Sequence, residues 1–83
     1  MKLYSYTPSL DLHGMDREYA VFKAKEFIHD HYKMKKDTIR IIHGIGTGIL
    51  KTAVHDYLRS EKIVKEYKTN YFNQGETVVI LKI

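Results

Sequence analysis

The segment HGIGTG, residues 43–48, most constrains how this chain can fold. Immediately before it, residues 38–42 form the β-branched run TIRII, which is typical of a buried strand. Immediately after it, apolar side chains recur at helical spacing over residues 49–60. Glycine adopts positive φ without steric cost, so glycines at alternate positions permit a sharp turn from strand to helix. The segment therefore predicts a β-loop-α unit, whose helix faces inward through Leu50, Ala53, Val54, Tyr57 and Leu58.

The residues before this unit predict a strand and a second helix. Leu10 and Leu12 alternate with polar neighbours, which indicates a short half-buried strand that ends at Gly14. From Asp16, a residue type favoured at helix N-caps, to Lys33, apolar side chains again recur at helical spacing. The inward face of this helix is predicted to contain Ala20, Ala24, Phe27 and Ile28.

The residues after the unit predict two more strands. Residues 64–69, VKEYKT, alternate as a strand with one exposed face does, and residues 77–83, TVVILKI, form the most apolar run and are predicted to be the central strand. Residues 70–76 between them have the composition of a turn-rich link. The order β-α-β-α-β-β predicts a two-layer α/β sandwich with a four-stranded mixed sheet and two helices. We expect parallel early strands and a final hairpin, while the strand order stays open.

Composition narrows the classes of protein to consider. The chain has no cysteine, which excludes disulfides and thiolate zinc sites. No apolar run reaches the roughly 18 residues of a membrane span, and the N-terminus lacks a secretory h-region, so we expect a cytoplasmic protein without membrane contact. Fourteen Lys and Arg against ten Asp and Glu give a net charge of +4, which favours a polyanionic partner weakly. The domain is expected to cover residues 9–83, after an extended N-terminal arm, residues 1–8.

Two His-Gly pairs end the first two predicted strands, His13-Gly14 and His43-Gly44. The carboxyl ends of parallel strands meet at one edge of a sheet, which is where open α/β sheets bind ligands. Asp11 stands two residues before His13, so we expect both side chains on the same face. The sequence therefore predicts a site built around Asp11, His13 and His43.

The glycine loop supplies the other half of this predicted site. Backbone N–H groups at a helix start bind anions, and glycine lets a phosphate approach the backbone closely. The predicted phosphate-binding residues are Gly14, Gly44, Gly46, Thr47, Gly48 and Lys51. The pattern taken alone leaves two alternatives, because such glycines also serve plain turns and a histidine at a strand end is often structural.

Basic and aromatic residues elsewhere favour a second hypothesis, a binding module without chemistry. Tyr67, Tyr71 and Phe72 suit stacking on bases, although tyrosines beside a turn also cover the edge of a core. His55 has no evident partner in the sequence pattern. An enzyme acting on a small phosphorylated molecule ranks last, because few other polar residues accompany the loop. Candidate contacts to a nucleic-acid backbone are Lys33, Lys35, Lys36, Arg40, Lys62, Lys65 and Lys68.

Taken together, the motifs resemble those of the small MutS-related, or Smr, family. The resemblance covers residues 9–83 and is carried by SLDLHGMDREYAV, IRIIHGIGTGILKTAVHDYL and TVVILK, with an LDLHG-type opening and an HGxGxG-type loop. It implies a fold similar to the C-terminal domain of translation initiation factor 3. It also implies nucleic-acid binding and, in several members, endonuclease activity on branched or nicked DNA or on messenger RNA of stalled ribosomes. Such domains also occur at the C-terminus of larger MutS-like proteins, where they are accessory.

Two chemistries stay open at the predicted site. A pair of histidines can cleave RNA without metal, one as base toward the 2′-hydroxyl and one as acid toward the leaving oxygen, with Asp11 orienting His13. The loop N–H groups and Lys51 would stabilise the phosphorane charge. Alternatively, Asp11 with one histidine would hold Mg²⁺ or Mn²⁺. DNA lacks the 2′-hydroxyl, so its cleavage would require such an ion to activate water. No second carboxylate is evident at the site, although magnesium sites commonly have one or two. The substrate, the roles of the two histidines, any ribosomal contact and the oligomeric state stay open.

Overall fold

The computed structural model describes residues 7–83 and forms two layers, a four-stranded sheet and two helices that cover one face of it. Residues 1–6, most of the predicted N-terminal arm, lie outside the described residues. The predicted β-α-β-α-β-β order and the predicted fold class are confirmed. The elements are β1 Ser9–Asp11, α1 Arg17–Lys33, β2 Thr38–Ile42, α2 Ile49–Ser60, β3 Val64–Asn70 and β4 Asn73–Leu81.

The strand order, β1-β2-β4-β3, places the apolar strand β4 in the interior of the sheet, as predicted. β1 and β2 pair in parallel, and β4 runs antiparallel to both β2 and β3. The connection through α2 places β3 parallel to β2 but one strand position away from it. β4 returns through the final hairpin and fills the position between them. β4 thus connects the two halves of the sheet.

The predicted turn-rich link over residues 70–76 is wrong in its extent. β3 continues to Asn70 and β4 already begins at Asn73, so only Tyr71 and Phe72 lie between the strands. The side-chain oxygens of the two asparagines accept hydrogen bonds from the backbone N–H groups of Phe72 and Gly75, both at 2.9 Å. Pairing with the neighbouring strand overrides the turn preference of these residues, because strand propensity depends strongly on context. At the other end, β4 stops at Leu81, before the predicted boundary at residue 83.

The core lies between the sheet and the helices. Asp16 caps α1 as predicted, since its side chain accepts hydrogen bonds from the backbone N–H groups of Glu18 and Tyr19. The small side chains of Ala20 and Ala24 let α1 approach the sheet closely. No helix within residues 7–83 is long and apolar enough to span a membrane. The fully buried apolar residues are Leu12, Ala20, Ala24, Ile28, Ile39, Ile41, Val54 and Val79.

The opposite side of the sheet carries an ion pair that joins β2 to β4. Arg40 donates to the Glu76 carboxylate at 3.1 Å, and Glu76 is almost fully buried. Arg40 also donates to the carbonyl oxygens of Thr7 and Pro8, at 3.3 and 2.9 Å. The Arg40 side chain, a candidate nucleic-acid contact by sequence, is therefore held within the domain.

Candidate functional site

The carboxyl ends of β1 and β2 lie side by side. Asp11 pairs with Ile42 in the parallel ladder, and the Leu12 N–H donates to the Ile42 carbonyl at 2.7 Å. His13 and His43 therefore both emerge at the same end of the sheet, as expected from parallel pairing. Their side chains, however, enter very different surroundings.

Asp11 and His13 form a paired carboxylate and imidazole at the surface. One carboxylate oxygen of Asp11 accepts hydrogen bonds from the backbone N–H of His13 at 3.1 Å and from its ring Nδ1 at 2.6 Å. A carboxylate only accepts, so Nδ1 carries the proton and the other ring nitrogen, Nε2, stays open. The side chains are 53% and 71% exposed, respectively, and Nε2 has no partner within residues 7–83. The pair thus presents one oriented imidazole nitrogen to solvent.

The contact between the two side chains shifts both titrations. The hydrogen bond from the Asp11 carboxylate, with its negative charge, raises the pKa of His13 above its ordinary value. The hydrogen bonds donated by His13 lower the pKa of Asp11. Asp11 is therefore ionised at neutral pH, while the raised pKa moves His13 toward the range in which an imidazole both takes up and gives up a proton.

Two glycines allow three chain segments to meet beside His13. Gly44 has φ +82°, and a Cβ there would lie 3.2 Å from the Cβ of His13. A Cβ on Gly75 would in turn lie 3.2 Å from the carbonyl carbon of Gly44. The Gly75 carbonyl accepts hydrogen bonds from the backbone N–H groups of both His43 and Gly44, at 2.9 and 3.0 Å. The glycine loop is therefore fixed between β1 and β4, with His13 directly against it.

The rest of the loop leads into α2 with open backbone donors. Gly48 is the N-cap in the left-handed conformation, φ 83°, and no side chain caps the helix in the usual way. Thr47 accepts only a long hydrogen bond, 3.4 Å, from the Ile49 N–H. Within residues 7–83 the N–H groups of Leu50 and Lys51 have no partner. Free N–H groups and the positive end of the helix dipole suit an anion.

His43 lies beneath this loop and ends a chain of hydrogen bonds. The Gly44 carbonyl can only accept, so His43 Nδ1 donates to it at 3.0 Å. In the neutral ring Nε2 then accepts from the Thr77 hydroxyl at 2.8 Å. The Thr77 oxygen in turn accepts from His55 Nε2 at 2.7 Å. The donor and the acceptor of each hydrogen bond from His55 through Thr77 and His43 to Gly44 are therefore assigned.

Burial favours the neutral form of both His43 and His55. His43 is only 4% exposed, and desolvation lowers its pKa below the ordinary value. Desolvation also lowers the pKa of His55, and the positive charge of Lys51 acts on both rings in the same direction. The lysine is therefore near the histidine chain as well as near the open donors of α2.

The structure brings three of the residues predicted for the site into direct contact. Asp11, His13 and Gly44 meet at one edge, whereas His43 points into the domain with both ring nitrogens occupied. A catalytic role for His43 stays a prediction, and the geometry gives it a second role in holding the loop. Gly14, φ 79°, turns the chain sharply after His13, and Gly46 lies in open space.

Three residues that support the site are not among those predicted from the sequence: His55, Thr77 and Gly75. His55 follows Val54 on the inward side of α2, a position that indicates a contact within the domain. Thr77 is a polar residue that shares the inward face of β4 with Val79, which is a signal for a buried polar contact. Gly75 fell within the segment interpreted as a link, so its contact with the loop could not be anticipated.

The described residues offer little for a metal ion. Within residues 7–83 no group of three His, Asp or Glu side chains lies close enough together to hold one. By pairing register Asp11 and Glu76 both lie beside Ile42, directly before the loop, and Arg40 already binds the Glu76 carboxylate, which leaves Asp11 for an ion. An ion bound there would therefore take further ligands from substrate phosphates and water, as Mg²⁺ commonly does.

Comparison with known families gives a clear result. The Smr domain family model matches residues 10–82, nearly the whole chain. The chain belongs to the Smr family. Endonuclease MutS2 of Clostridium novyi is 39% identical over 85 residues, and that of Clostridium perfringens is 36% identical over the same length. Each match covers 99% of this chain but 11% of the relative, so this Smr domain spans about a tenth of those proteins.

Solved Smr structures agree with the fold. The crystal structure of the Smr domain of Thermus thermophilus MutS2 superposes with a TM-score of 0.90 at 28% identity, covering 93% of this chain and all of that one. YdaL, a stand-alone small MutS-related protein from Escherichia coli, gives a TM-score of 0.89 at 23% identity, covering 98% of this chain and 69% of that one. The second likeness is one of fold alone.

Proposed function

We propose that this Smr domain binds a nucleic-acid phosphate at residues 43–51 and cleaves the strand there with the aid of Asp11 and His13. The observation that carries the proposal is the His13 side chain, whose ring is oriented by Asp11 with Nε2 open and whose Cβ lies beside Gly44. The endonuclease name of the MutS2 relatives and the net charge of +4 support it.

Binding would use the backbone rather than a particular base. The open N–H groups of Leu50 and Lys51, the helix dipole and the Lys51 ammonium all favour a phosphate. None of these groups distinguishes one base from another, because phosphate contacts position a strand without reading its sequence. We therefore expect the loop to contribute affinity and register.

For RNA, the site supports metal-free transesterification. Neutral His13 takes the 2′-hydroxyl proton at Nε2 as that oxygen attacks phosphorus, and the 5′-oxygen leaves with a proton from a general acid or water. The loop N–H groups stabilise the negative charge that develops on the phosphorane oxygens. Since the pKa of His13 is raised, the same ring in its protonated form also suits the acid role. The pH dependence of cleavage distinguishes the two assignments.

For DNA, which lacks the 2′-hydroxyl, the attacking group must be water. Asp11 would then contribute a ligand to Mg²⁺ or Mn²⁺, and the ion would supply an activated water molecule. Both hydrogen bonds from His13 reach the same carboxylate oxygen of Asp11. The ion would therefore have to bind the second oxygen, or Asp11 would have to release His13. The metal-free and metal-dependent routes therefore make different demands on Asp11.

A second candidate is a phosphate-binding module without chemistry. It is favoured by the burial of His43, which leaves His13 as the one exposed imidazole of the predicted pair. Such a module would serve as the accessory domain of a larger MutS-like protein, consistent with the small fraction of the MutS2 relatives that it matches.

The test is cleavage of end-labelled structured RNA and of branched DNA, with and without EDTA. Variants His13→Ala and Asp11→Asn are compared with wild type. His29→Ala is a matched control, because His29 pairs with the Glu61 carboxylate at 2.8 Å in the same manner. Glu61 follows the far end of α2, about 18 Å from its start. Substitution there should leave cleavage unchanged.

The outcomes separate the candidates. Cleavage of RNA alone that survives EDTA, yields a 2′,3′-cyclic phosphate and falls by about 100-fold or more in His13→Ala supports the metal-free route. DNA cleavage that stops with EDTA supports the metal route. If wild type shifts both substrates on a gel yet cuts neither, the nuclease proposal fails and the binding module remains.

A further inference from the structure

Two aromatic side chains form the tip of the β3–β4 hairpin. Tyr71 is 86% exposed and Phe72 is 92% exposed, and neither packs against the core. The two rings contact each other edge to face, with centroids 5.1 Å apart and planes at 70°. Two-residue hairpin loops ordinarily carry Asn, Asp or Gly. A pair of large rings at this position gains nothing in packing, so its exposure calls for a binding role.

Side-chain hydrogen bonds fix the base of the tip. The Asn70 side chain accepts from the Phe72 N–H and donates to Glu76 at 2.5 Å. Glu76 is itself fixed by Arg40 at 3.1 Å. A buried ion pair thus anchors the turn, and the rings are presented with little backbone freedom to lose on binding.

The tip also lies at the same end of the sheet as the candidate phosphate site. Gly75 contacts Gly44, which contacts His13. From Gly75 back to Asn73, where the turn begins, the strand extends about 7 Å. A nucleotide whose phosphate lies beside His13 therefore has its neighbours along the strand within reach of the rings.

We propose that Tyr71 and Phe72 form a stacking platform for an unpaired base next to the phosphate bound at His13. This inference rests on the proposed nucleic-acid function and gives the substrate class, a strand with unpaired nucleotides at the cleavage point. Bases in a duplex already have both faces covered, whereas an unpaired base offers a free π-face to an aromatic ring. Because the two rings are nearly perpendicular, one stacks on the base while the other contacts its edge.

Tyr67, the third aromatic on this hairpin, is excluded from the platform. It packs edge to face on His55, with centroids 5.0 Å apart, and belongs to the inner face of the sheet. The exposed Lys68 lies between Tyr67 and the tip and adds positive charge toward the same end. A nucleic-acid strand fits this combination of rings, cation and adjoining phosphate site, and a protein partner becomes the alternative outcome of the test.

The test measures binding in the presence of EDTA, separately from cleavage. Fluorescence anisotropy is recorded with a short labelled single strand, as DNA and as 2′-O-methyl RNA, which the metal-free route cannot cut, and with the matched duplex. Phe72→Leu and Tyr71→Leu keep an apolar side chain but remove the ring, while Phe72→Tyr keeps the ring. Phe22→Leu is the matched control, since Phe22 is 58% exposed on α1. Circular dichroism melting checks that every variant folds.

We expect Phe72→Leu to weaken single-strand binding by about 5- to 100-fold while duplex binding is unchanged. Phe72→Tyr and Phe22→Leu should retain wild-type affinity. A 2-aminopurine base placed in turn at each position of the strand should be quenched at one position by wild type and not by Phe72→Leu. Unchanged single-strand affinity in both Leu variants overturns the platform and assigns the tip to a protein contact. Equal wild-type affinity for single strand and duplex also overturns it. If wild type quenches the 2-aminopurine base but cuts neither RNA nor DNA, the nuclease proposal fails and the stacking platform stands.

Discussion

The hydrogen-bonded chain beneath the glycine loop can be broken by one nearly isosteric substitution, Thr77→Val. The Thr77 hydroxyl bridges His43 and His55 at 2.8 and 2.7 Å, and Thr77 itself is fully buried. Valine keeps the volume and the β-branched shape but leaves both Nε2 atoms without a partner. The change therefore tests the bridge with little disturbance of packing.

The magnitude follows from the two orphaned groups. A buried polar group without a partner costs about 1–3 kcal/mol. His43 is nearly inaccessible and should contribute about 2 kcal/mol, whereas His55 is partly exposed and recovers water, contributing about 1 kcal/mol or less. The total loss is about 2–3 kcal/mol, which lowers Tm by about 8–24 °C in a domain of this size.

The assay is urea unfolding followed by circular dichroism at neutral pH, with Thr69→Val as the control. Thr69 pairs with Thr77 across the β3–β4 ladder, and within residues 7–83 its hydroxyl makes no hydrogen bond. That variant should change stability by about 0.5 kcal/mol or less. In Thr77→Val the Nε2 proton of His55 loses its acceptor, so it should exchange faster with water than in wild type. Equal stability of Thr77→Val and wild type, with unchanged exchange of that proton, would show that the hydroxyl is not the bridge.

Three further predictions follow from the same geometry. Gly44→Ala should lower the unfolding free energy by about 1–3 kcal/mol, because φ is positive there and the new Cβ meets His13. Gly46→Ala is the control and should change the unfolding free energy little, since position 46 lies in open space. Urea unfolding measures both variants. Asp11→Asn should lower the pKa of His13 toward its ordinary value in an NMR titration, and an unchanged pKa would contradict the pairing. The folded pKa of His55 lies below the unfolded value near 6.5, so the unfolded state binds more protons and stability should fall as the pH drops through that value. Tm at pH 7.5 and 5.5 measures this fall, which His55→Gln should reduce.

Periodicity made the fold predictable. The spacing of apolar residues placed β2 and α2 at their observed bounds, and Asp16 marked the start of α1. The extent of the β3–β4 hairpin was not predictable, because Asn70 and Gly75 have turn preferences that only pairing with a neighbouring strand overrides. The bridge through Thr77 was also out of reach, since it depends on contacts between residues far apart in the chain.

The different surroundings of the two histidines follow from a register offset of one residue. In sequence His13-Gly14 and His43-Gly44 are equivalent, but Asp11 pairs with Ile42. One step further, Leu12 stands beside His43, and His13 stands beside Gly44, as its contact with that glycine confirms. Successive strand residues face opposite sides of a sheet, so a shift of one exchanges inside for outside. His43 thus shares the inward face with Leu12 and is buried, while His13 follows Asp11 outward. The offset thus explains why two identical dipeptides have different surroundings. The imidazole of His13 is exposed beside the glycine loop, and the imidazole of His43 is buried beneath it.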